Sequence, residues 1–423
     1  MRRRLVLGGF LAGGAAALAG CAAVRTGAPA RVVVVGGGFG GATAAKYLRL
    51  LSGQALDVVL VEPQPAFVSC PLSNLVVGGL RQLADLTRPY AALHARHGVT
   101  RVQDTATAVD VQARTLRLAR GAPLHYDKLL LSPGIDLMFD DIPGLAEAQA
   151  DGLALQAWKA GPETAALHRQ LASMRDGGVF AITVPEAPYR CPPGPYERAS
   201  VVAAYLKVHK PRSKVLILDA NDDVTSKGPL FKQAWRELYG GMVEYRPQHQ
   251  VAAVDGARRT IRFAVHDDVA ADVLNVLPPM RAGVLAVQAG LANANGRWCR
   301  VDFRSFASTA ARHVHVIGDA IQAAPLMPKS GHMANAHAKV AAAAIVAELA
   351  GLEPDPGPML TNTCYSFVGA EEAIHVASVH AYADDERTFK TVPGSGGVSA
   401  ARSAAEGRLA LAWAQNIWAD MLE

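Results

Sequence analysis

Arg31 to Gly41 reads RVVVVGGGFGG, a run of β-branched residues passing straight into glycines, and Ala42 to Leu51 behind it has helix-forming composition. That pattern spells strand, tight turn and helix. Gly36, Gly38 and Gly41 keep the G-x-G-x-x-G spacing. The first glycine permits the turn, the second lets a pyrophosphate approach the backbone, and the third lets the helix pack on the strand. A second β run, Asp57 to Glu62, follows at the interval of a βαβ unit, and Glu62 at its end is placed to accept a hydrogen bond from a ribose hydroxyl. The N-terminal part is therefore expected to be a dinucleotide fold whose first helix turns its positive end to phosphates.

Working outward, Tyr126 to Pro133 (YDKLLLSP), Val179 to Val184, Lys214 to Asp219 and His313 to Asp319 (HVHVIGD) read as further short strands. An alanine-rich helix is expected from about Ser330 to Leu349. Gly318 and Asp319 close the late strand and supply the second half of an FAD signature. The carboxylate can reach a ribityl chain, while the following helix, beginning near Lys329 and Ser330, can stabilise negative charge on a reduced ring. An aspartate that only caps the next helix is the plainer reading, and the two are compatible. After Val179 to Val184, where a pyridine-nucleotide reductase carries a second glycine loop, this chain has PEAPYRCPPGP from Pro185 to Pro195. Proline rigidity removes backbone donors for a second pyrophosphate, so NAD(P)H use is not expected.

The domain order predicted is an export signal and linker at 1–28, a discontinuous FAD domain at 29–150 and 290–358, and a second Rossmann-like domain at 151–289. A C-terminal interface domain at 359–423 follows, with few period-2 runs apart from Ile374 to Val379 and a Trp-bearing helix around Leu409 to Met421. At 423 residues the chain exceeds one hydrophobic core, and 50% hydrophobic with 19% charged residues describes a globular protein of more than one domain.

Arg2, Arg3 and Arg4 precede an apolar stretch from Leu5 to Gly20 that is short for a membrane span and reads as an export signal, with paired arginines like those of a twin-arginine signal. Leu18-Ala19-Gly20-Cys21 has the form of a lipobox, so an anchored and a merely cleaved N-terminus both stay open. Setting the three signal arginines aside takes the formal net charge from +5 to +2, which leaves no strong field for nucleic acid. Beyond Cys21 the cysteines are Cys70, Cys191, Cys299 and Cys364, with no C-x-x-C and no C-x-x-C-H, so no haem attachment site is expected in this chain. His332 and His337 stand without a carboxylate or cysteine cluster, and no metal site is expected.

VVVVGGGFGGATAAKYLRL, SCPLSNLVVGG, YRCPPGPYERAS, MPKSGHMANAHAKVAAA and NTCYSFVGAEEAIHVA together resemble the flavoprotein subunit of flavocytochrome c sulfide dehydrogenase and the related flavoproteins of sulfur-oxidation systems. The resemblance implies an α/β, glutathione-reductase-like FAD fold with two dinucleotide-binding-type domains and a C-terminal α+β interface domain. It implies covalent FAD on Cys70, a redox-active disulfide between Cys191 and Cys364 over the flavin, and a carboxylate, Glu197, that relays protons or tunes the thiol. Lys329 joins the expected cofactor-binding residues. Sulfide would be oxidised to zero-valent sulfur or polysulfide in the periplasm, with electrons passed to a c-type, diheme cytochrome partner. A sulfide:quinone oxidoreductase, or a non-catalytic accessory flavoprotein of a sulfur-oxidation system, are the alternatives. Cys299 is expected to be a buried packing residue.

Overall fold

The computed structural model describes residues 28–423; the export signal and Cys21 lie outside the described residues. Arg31–Val35 sits inside a seven-stranded sheet, parallel to Asp57–Val61 on one side and Lys128–Leu131 on the other. Val32, Val33 and Val34 are fully buried, as expected of a parallel strand covered on both faces, and this explains why the sequence runs apolar without alternating. Val314–Val316 pairs in parallel with Lys128–Leu131, so the chain returns to the first sheet after a long excursion. That return places Gly318 beside the opening glycine loop: a Cβ at Gly36 would lie 2.4 Å from the Ser132 carbonyl oxygen, and one at Gly318 would lie 3.8 Å from Ser132 Oγ.

The excursion builds a second, five-stranded sheet, all of whose pairings are parallel: Ala154–Leu155, Val273–Asn275, Val179–Val184, Lys214–Asp219 and Val243–Arg246, in that spatial order. Ile135–Leu137 and Met280–Ala282 pair antiparallel where the chain leaves and re-enters the first part. The alanine-rich helix spans Gly331–Leu349, with Ser330 as N-cap accepting from Met333 N–H. It packs against the Phe39–Leu51 helix, where Asn335 Nδ2 donates to Thr43 Oγ1. Lys329 thus precedes the helix rather than riding on it.

The C-terminal part differs from the expectation of few strands. Met359–Phe367 and Ala373–Ala383 form a long antiparallel pair, extended by Thr388–Thr391 and Gly397–Val398. The buried positions of the first strand include Asn362 and Ser366, so its inward face is partly polar and gives no hydrophobic alternation to read. The closing helix, Ala404–Leu422, is fastened to the first domain through Asp420. Its carboxylate accepts from Tyr47 OH and Asn335 Nδ2, both at 2.8 Å, and pairs with Lys339 at 2.9 Å.

Candidate functional site

Two adjoining cavities meet at Phe39, Cys70, Arg190, Asp319 and Gly331. One is the cleft of the glycine loop, which Gly38, Glu62, Ser132 and Gly134 help to line. Gly36 has φ of +97°, which a side chain rarely adopts, and a Cβ at Gly41 would fall 1.8 Å from the Gly36 carbonyl oxygen. Gly38 faces open space, with nothing within 4 Å of where its Cβ would be. First and third glycines are thus demanded by packing, and the second by whatever enters. Glu62 Oε2 accepts from Gly37 N–H at 2.6 Å and Oε1 from Gln64 N–H at 2.8 Å. The carboxylate expected to meet a ribose therefore also clamps the loop, each oxygen keeping a second lone pair.

At the far end of the cleft, Asp319 is half-buried and its buried Oδ1 has no hydrogen-bond partner among the described residues. Burial pushes its carboxyl above the usual range, against the opposing charges of Arg190 and Lys329. An unpaired buried carboxylate oxygen facing a cleft is costly unless something brought into the cleft donates to it. His337 Nδ1 accepts from Gly318 N–H at 3.2 Å and fixes the turn that presents Asp319, a role the sequence did not disclose. The open face at Gly38, the empty bond at Asp319 and the Gly331–Leu349 helix that begins at the cavity wall suit an extended dinucleotide such as FAD.

Lys329 corrects the expectation that it faces the cofactor. Its ammonium donates to the carbonyls of Asp319 at 2.9 Å and Ile321 at 2.6 Å and lies 3.6 Å from the centre of the Trp298 ring. Bonds to two carbonyls and a cation–π contact hold it behind the Asp319 turn, where burial lowers its pKa to about 8. Cys299 is fully buried with a thiol pushed up to about 12 by burial, in keeping with packing.

The second cavity, of about 130 Å³, brings together residues far apart in sequence: Cys70, Cys191, Glu197 and Cys364 all line it. Cys191 sits at φ of +59°, its N–H bonded to the Lys329 carbonyl at 2.8 Å, just before the Gly194–His209 helix. A Cβ at Gly194 would lie 2.9 Å from Cys191 Sγ and 2.6 Å from the Trp158 ring, so only glycine leaves room for the sulfur. Cys364 comes from the middle of the Met359–Phe367 strand, opposite Val376. Both cysteines are thiols in this structure, as is Cys70, which borders both cavities. Burial raises the Cys191 thiol, with Cys364 and Glu197 adding to the effect; it raises Cys364 too, but Lys227 opposes it.

Glu197 is buried in the first turn of its helix, where Oε1 accepts from Phe367 N–H and Oε2 from Asn74 Nδ2, each at 2.8 Å. Burial raises its carboxyl against those two bonds and the charges of Lys227 and Arg198. Four groups here escaped the sequence reading. Asn74 also accepts from Arg198 Nε at 2.9 Å, so one amide ties the carboxylate to a guanidinium. Arg198 is 1% exposed and donates further to the carbonyls of Gln156 and Ala157 and to Asn275 Oδ1. Lys227 donates to the Cys364 carbonyl at 2.9 Å and to Ser366 Oγ at 2.8 Å. His332 lines the cavity and accepts from Thr363 N–H through Nδ1 at 2.9 Å, which leaves Nε2 carrying the proton. A Glu–Arg pair inside an otherwise apolar helical run was the legible signal for Arg198; Lys227, in a polar turn, had none.

Comparison with known proteins assigns residues 164–278 to the model of the sulfide dehydrogenase [flavocytochrome c] flavoprotein chain, central. Residues 356–422 match the flavocytochrome c sulphide dehydrogenase flavin-binding model, and residues 30–167 match pyridine nucleotide-disulphide oxidoreductase. A sulfide dehydrogenase [flavocytochrome c] flavoprotein chain from Chlorobaculum thiosulfatiphilum is 67% identical over 46 residues, which are 11% of this chain and 94% of that one. The mitochondrial sulfide:quinone oxidoreductase of Dictyostelium discoideum is 26% identical over 297 residues, 68% of this chain; the match spans 65% of that relative's length. Among solved structures, the sulfide:quinone oxidoreductase of Aquifex aeolicus superposes with a TM-score of 0.76 at 18% identity, covering 93% of this chain and 91% of that one. The reductase of a putidaredoxin reductase–putidaredoxin complex gives 0.66 at 17%, covering 92% and 93%. These two share the fold.

Proposed function

The chain belongs to the flavoprotein chains of flavocytochrome c sulfide dehydrogenase, and from that premise we propose that it oxidises sulfide at the cavity holding Cys191 and Cys364 and delivers the electrons to a c-type, diheme cytochrome in the periplasm. The observation that carries the reading is the meeting of those two cysteines and a buried carboxylate in one cavity that opens into the dinucleotide cleft at Cys70 and Asp319.

In this reading the cofactor is FAD, held by the loop of Gly36, Gly38 and Gly41, by Glu62 and Asp319, and by a thioether to Cys70. Bound there, it would take two electrons from the cysteine pair and release them one at a time. With Cys191 and Cys364 oxidised to a disulfide, hydrosulfide attacks one sulfur. The S–S bond breaks, a persulfide forms on that cysteine, and the other leaves as a thiolate carrying the electron pair. Loss of the persulfide's proton and expulsion of zero-valent sulfur leave both cysteines as thiolates, holding the two electrons that the flavin would take. Glu197 is the nearby buried group able to take that proton, and Asn74, steadied by Arg198, keeps its carboxylate aimed. Apolar walls such as Leu72, Phe367 and Trp413 keep bulk water from the sulfurs and suit an elemental sulfur product.

The test is an anaerobic titration of the purified protein with sulfide, followed in the flavin band, then addition of cytochrome c. Stoichiometric bleaching and reoxidation by the cytochrome are expected. A flavin indifferent to sulfide would overturn the reading in favour of an accessory flavoprotein. Reoxidation by a soluble quinone, with cytochrome c inert, would make it a sulfide:quinone oxidoreductase instead.

A further inference from the structure

We infer that Lys227 decides which half of the cysteine pair leaves: its ammonium stabilises Cys364 as the thiolate, so hydrosulfide is directed onto Cys191. The inference rests on the sulfide-oxidising reading of this cavity and adds a positioning residue and a direction to it.

Lys227 occupies the residue before the Gly228–Tyr239 helix in the left-handed conformation, φ +57° and ψ +30°. For a lysine this backbone is strained, and such strain persists where surrounding contacts demand it. Here the demand is visible: the side chain is 7% exposed, and its ammonium spends two bonds on the Cys364 carbonyl and Ser366 Oγ. Among the described residues no carboxylate is hydrogen-bonded to it; the acidic groups that bear on it are, in falling order, Cys364, Glu197, Cys191 and Glu406. A buried cation without a carboxylate partner is expensive unless an anion appears beside it during function. Cys364 is the group best placed to supply one, and Lys227 is the strongest charge opposing burial of its thiol.

Cys191 has a competing stabiliser in the N-terminus of the Gly194–His209 helix, against which its sulfur sits. That end carries about half a positive charge. Arg190 adds a positive charge that favours a Cys191 thiolate, as Lys227 itself does less strongly than at Cys364, while Glu197, in the same first turn, opposes it with a full negative charge when ionised. At Cys191 the repulsion from Glu197 outranks the two cations, whereas at Cys364 the ammonium of Lys227, fixed on that residue's own carbonyl, outranks Glu197, so the balance favours Cys364 as the thiolate. In the attack step the S–Cys191 bond of the persulfide forms as the Cys191–Cys364 bond breaks, and the electron pair and negative charge pass to Cys364 next to Lys227. The leaving thiolate is the better stabilised one, which is the direction that speeds exchange.

Two measurements on the flavin-loaded protein test this. In Cys191→Ser protein, alkylation of Cys364 by iodoacetamide is followed against pH by peptide mass spectrometry. Adding Lys227→Gln is expected to raise the pH midpoint by about one unit, a roughly tenfold slower reaction below both midpoints. Lys227→Arg, which keeps the charge, is expected to leave the midpoint at or below that of the parent. An unmoved midpoint in the Gln variant overturns the inference; should that variant not accumulate, a midpoint raised in the Arg variant overturns it. Second, wild-type protein is quenched with the alkylating agent after one equivalent of sulfide. The extra sulfur is expected on Cys191, and finding it on Cys364 refutes the direction. Sulfide bleaching of the wild-type flavin is scored separately: if it fails while the alkylation midpoint still shifts, the sulfide reading falls and the Lys227–Cys364 coupling stands.

Discussion

Replacing Glu197 by glutamine tests the carboxylate with almost no change of shape, and the outcome can be worked from its two hydrogen bonds. Both partners are donors: Phe367 N–H, fixed in the backbone, and Asn74 Nδ2, each at 2.8 Å. Glutamine offers one acceptor and one donor, so one of these contacts becomes donor against donor. Turning the Asn74 amide over would cure the mismatch at Glu197, but Asn74 Oδ1 already accepts from Arg198 Nε, and the flip would set an amide NH₂ against a guanidinium. The mismatch is therefore trapped, and an unsatisfied buried donor costs about 1–3 kcal/mol. The pH dependence has a defined sign. Burial holds the folded-state carboxyl above its unfolded value, so the stability this group contributes is complete below about 4.3, the unfolded value, and is lost as pH rises through the folded one. Glutamine does not titrate, so the variant's deficit in urea midpoint should shrink as pH rises. In stopped-flow mixing with sulfide, losing the proton acceptor should slow flavin bleaching by about 10²-fold or more. Wild-type bleaching rates in a folded Glu197→Gln protein would refute the assigned role.

Cys70→Ser should let FAD pass into the supernatant on acid precipitation, whereas wild-type pellets stay yellow; a yellow Cys70→Ser pellet would move the attachment elsewhere. In that background, Asp319→Ala removes the unpaired carboxylate oxygen and should weaken FAD binding about tenfold or more, from the ~1.5–3 kcal/mol of a hydrogen bond to a charged group, read by flavin fluorescence in a titration of apoprotein. Asn74→Leu strands Glu197 Oε2 and Arg198 Nε together. Its urea midpoint should fall by more than that of Glu197→Gln, and equal midpoints would show that the amide does not couple them.

The fold was legible where local chemistry dictates it. RVVVVGGGFGG announces a buried parallel strand and a phosphate loop because both need particular residue types over eleven consecutive positions. The return of Val314–Val316 to the first sheet was readable from Gly318 and Asp319, since a second cofactor contact must rejoin the first. The strand Met359–Phe367 was not, because its inward positions Asn362 and Ser366 are polar. Those residues stand behind the cavity wall: Asn362 Oδ1 accepts from Oγ of Ser330, which lines the cavity, at 2.7 Å, and Ser366 accepts from Lys227. The segment that hides its secondary structure does so because it is built to serve a site.

The same trade explains which site residues could be named beforehand. The glycines at 36, 38 and 41 were named from their spacing, and Cys70, Cys191, Glu197 and Cys364 through the family resemblance of the segments that hold them. Asn74, Arg198 and Lys227 act through partners far away in sequence: Asn74 on Glu197, Arg198 on Asn74, and Lys227 on Cys364, each pair more than a hundred residues apart. Lys329 shows the converse error, for position beside a helix start suggested a role facing the flavin, whereas Trp298 and two carbonyls, brought near only by the fold, claim its ammonium. A charge in sequence declares its sign but not its partner. Behind the cavity wall the partner decides the role: the lysine against two carbonyls braces the Asp319 turn, while the one on the Cys364 carbonyl holds its charge at a strand that lines the cavity, which is the basis for the direction proposed for the cysteine pair.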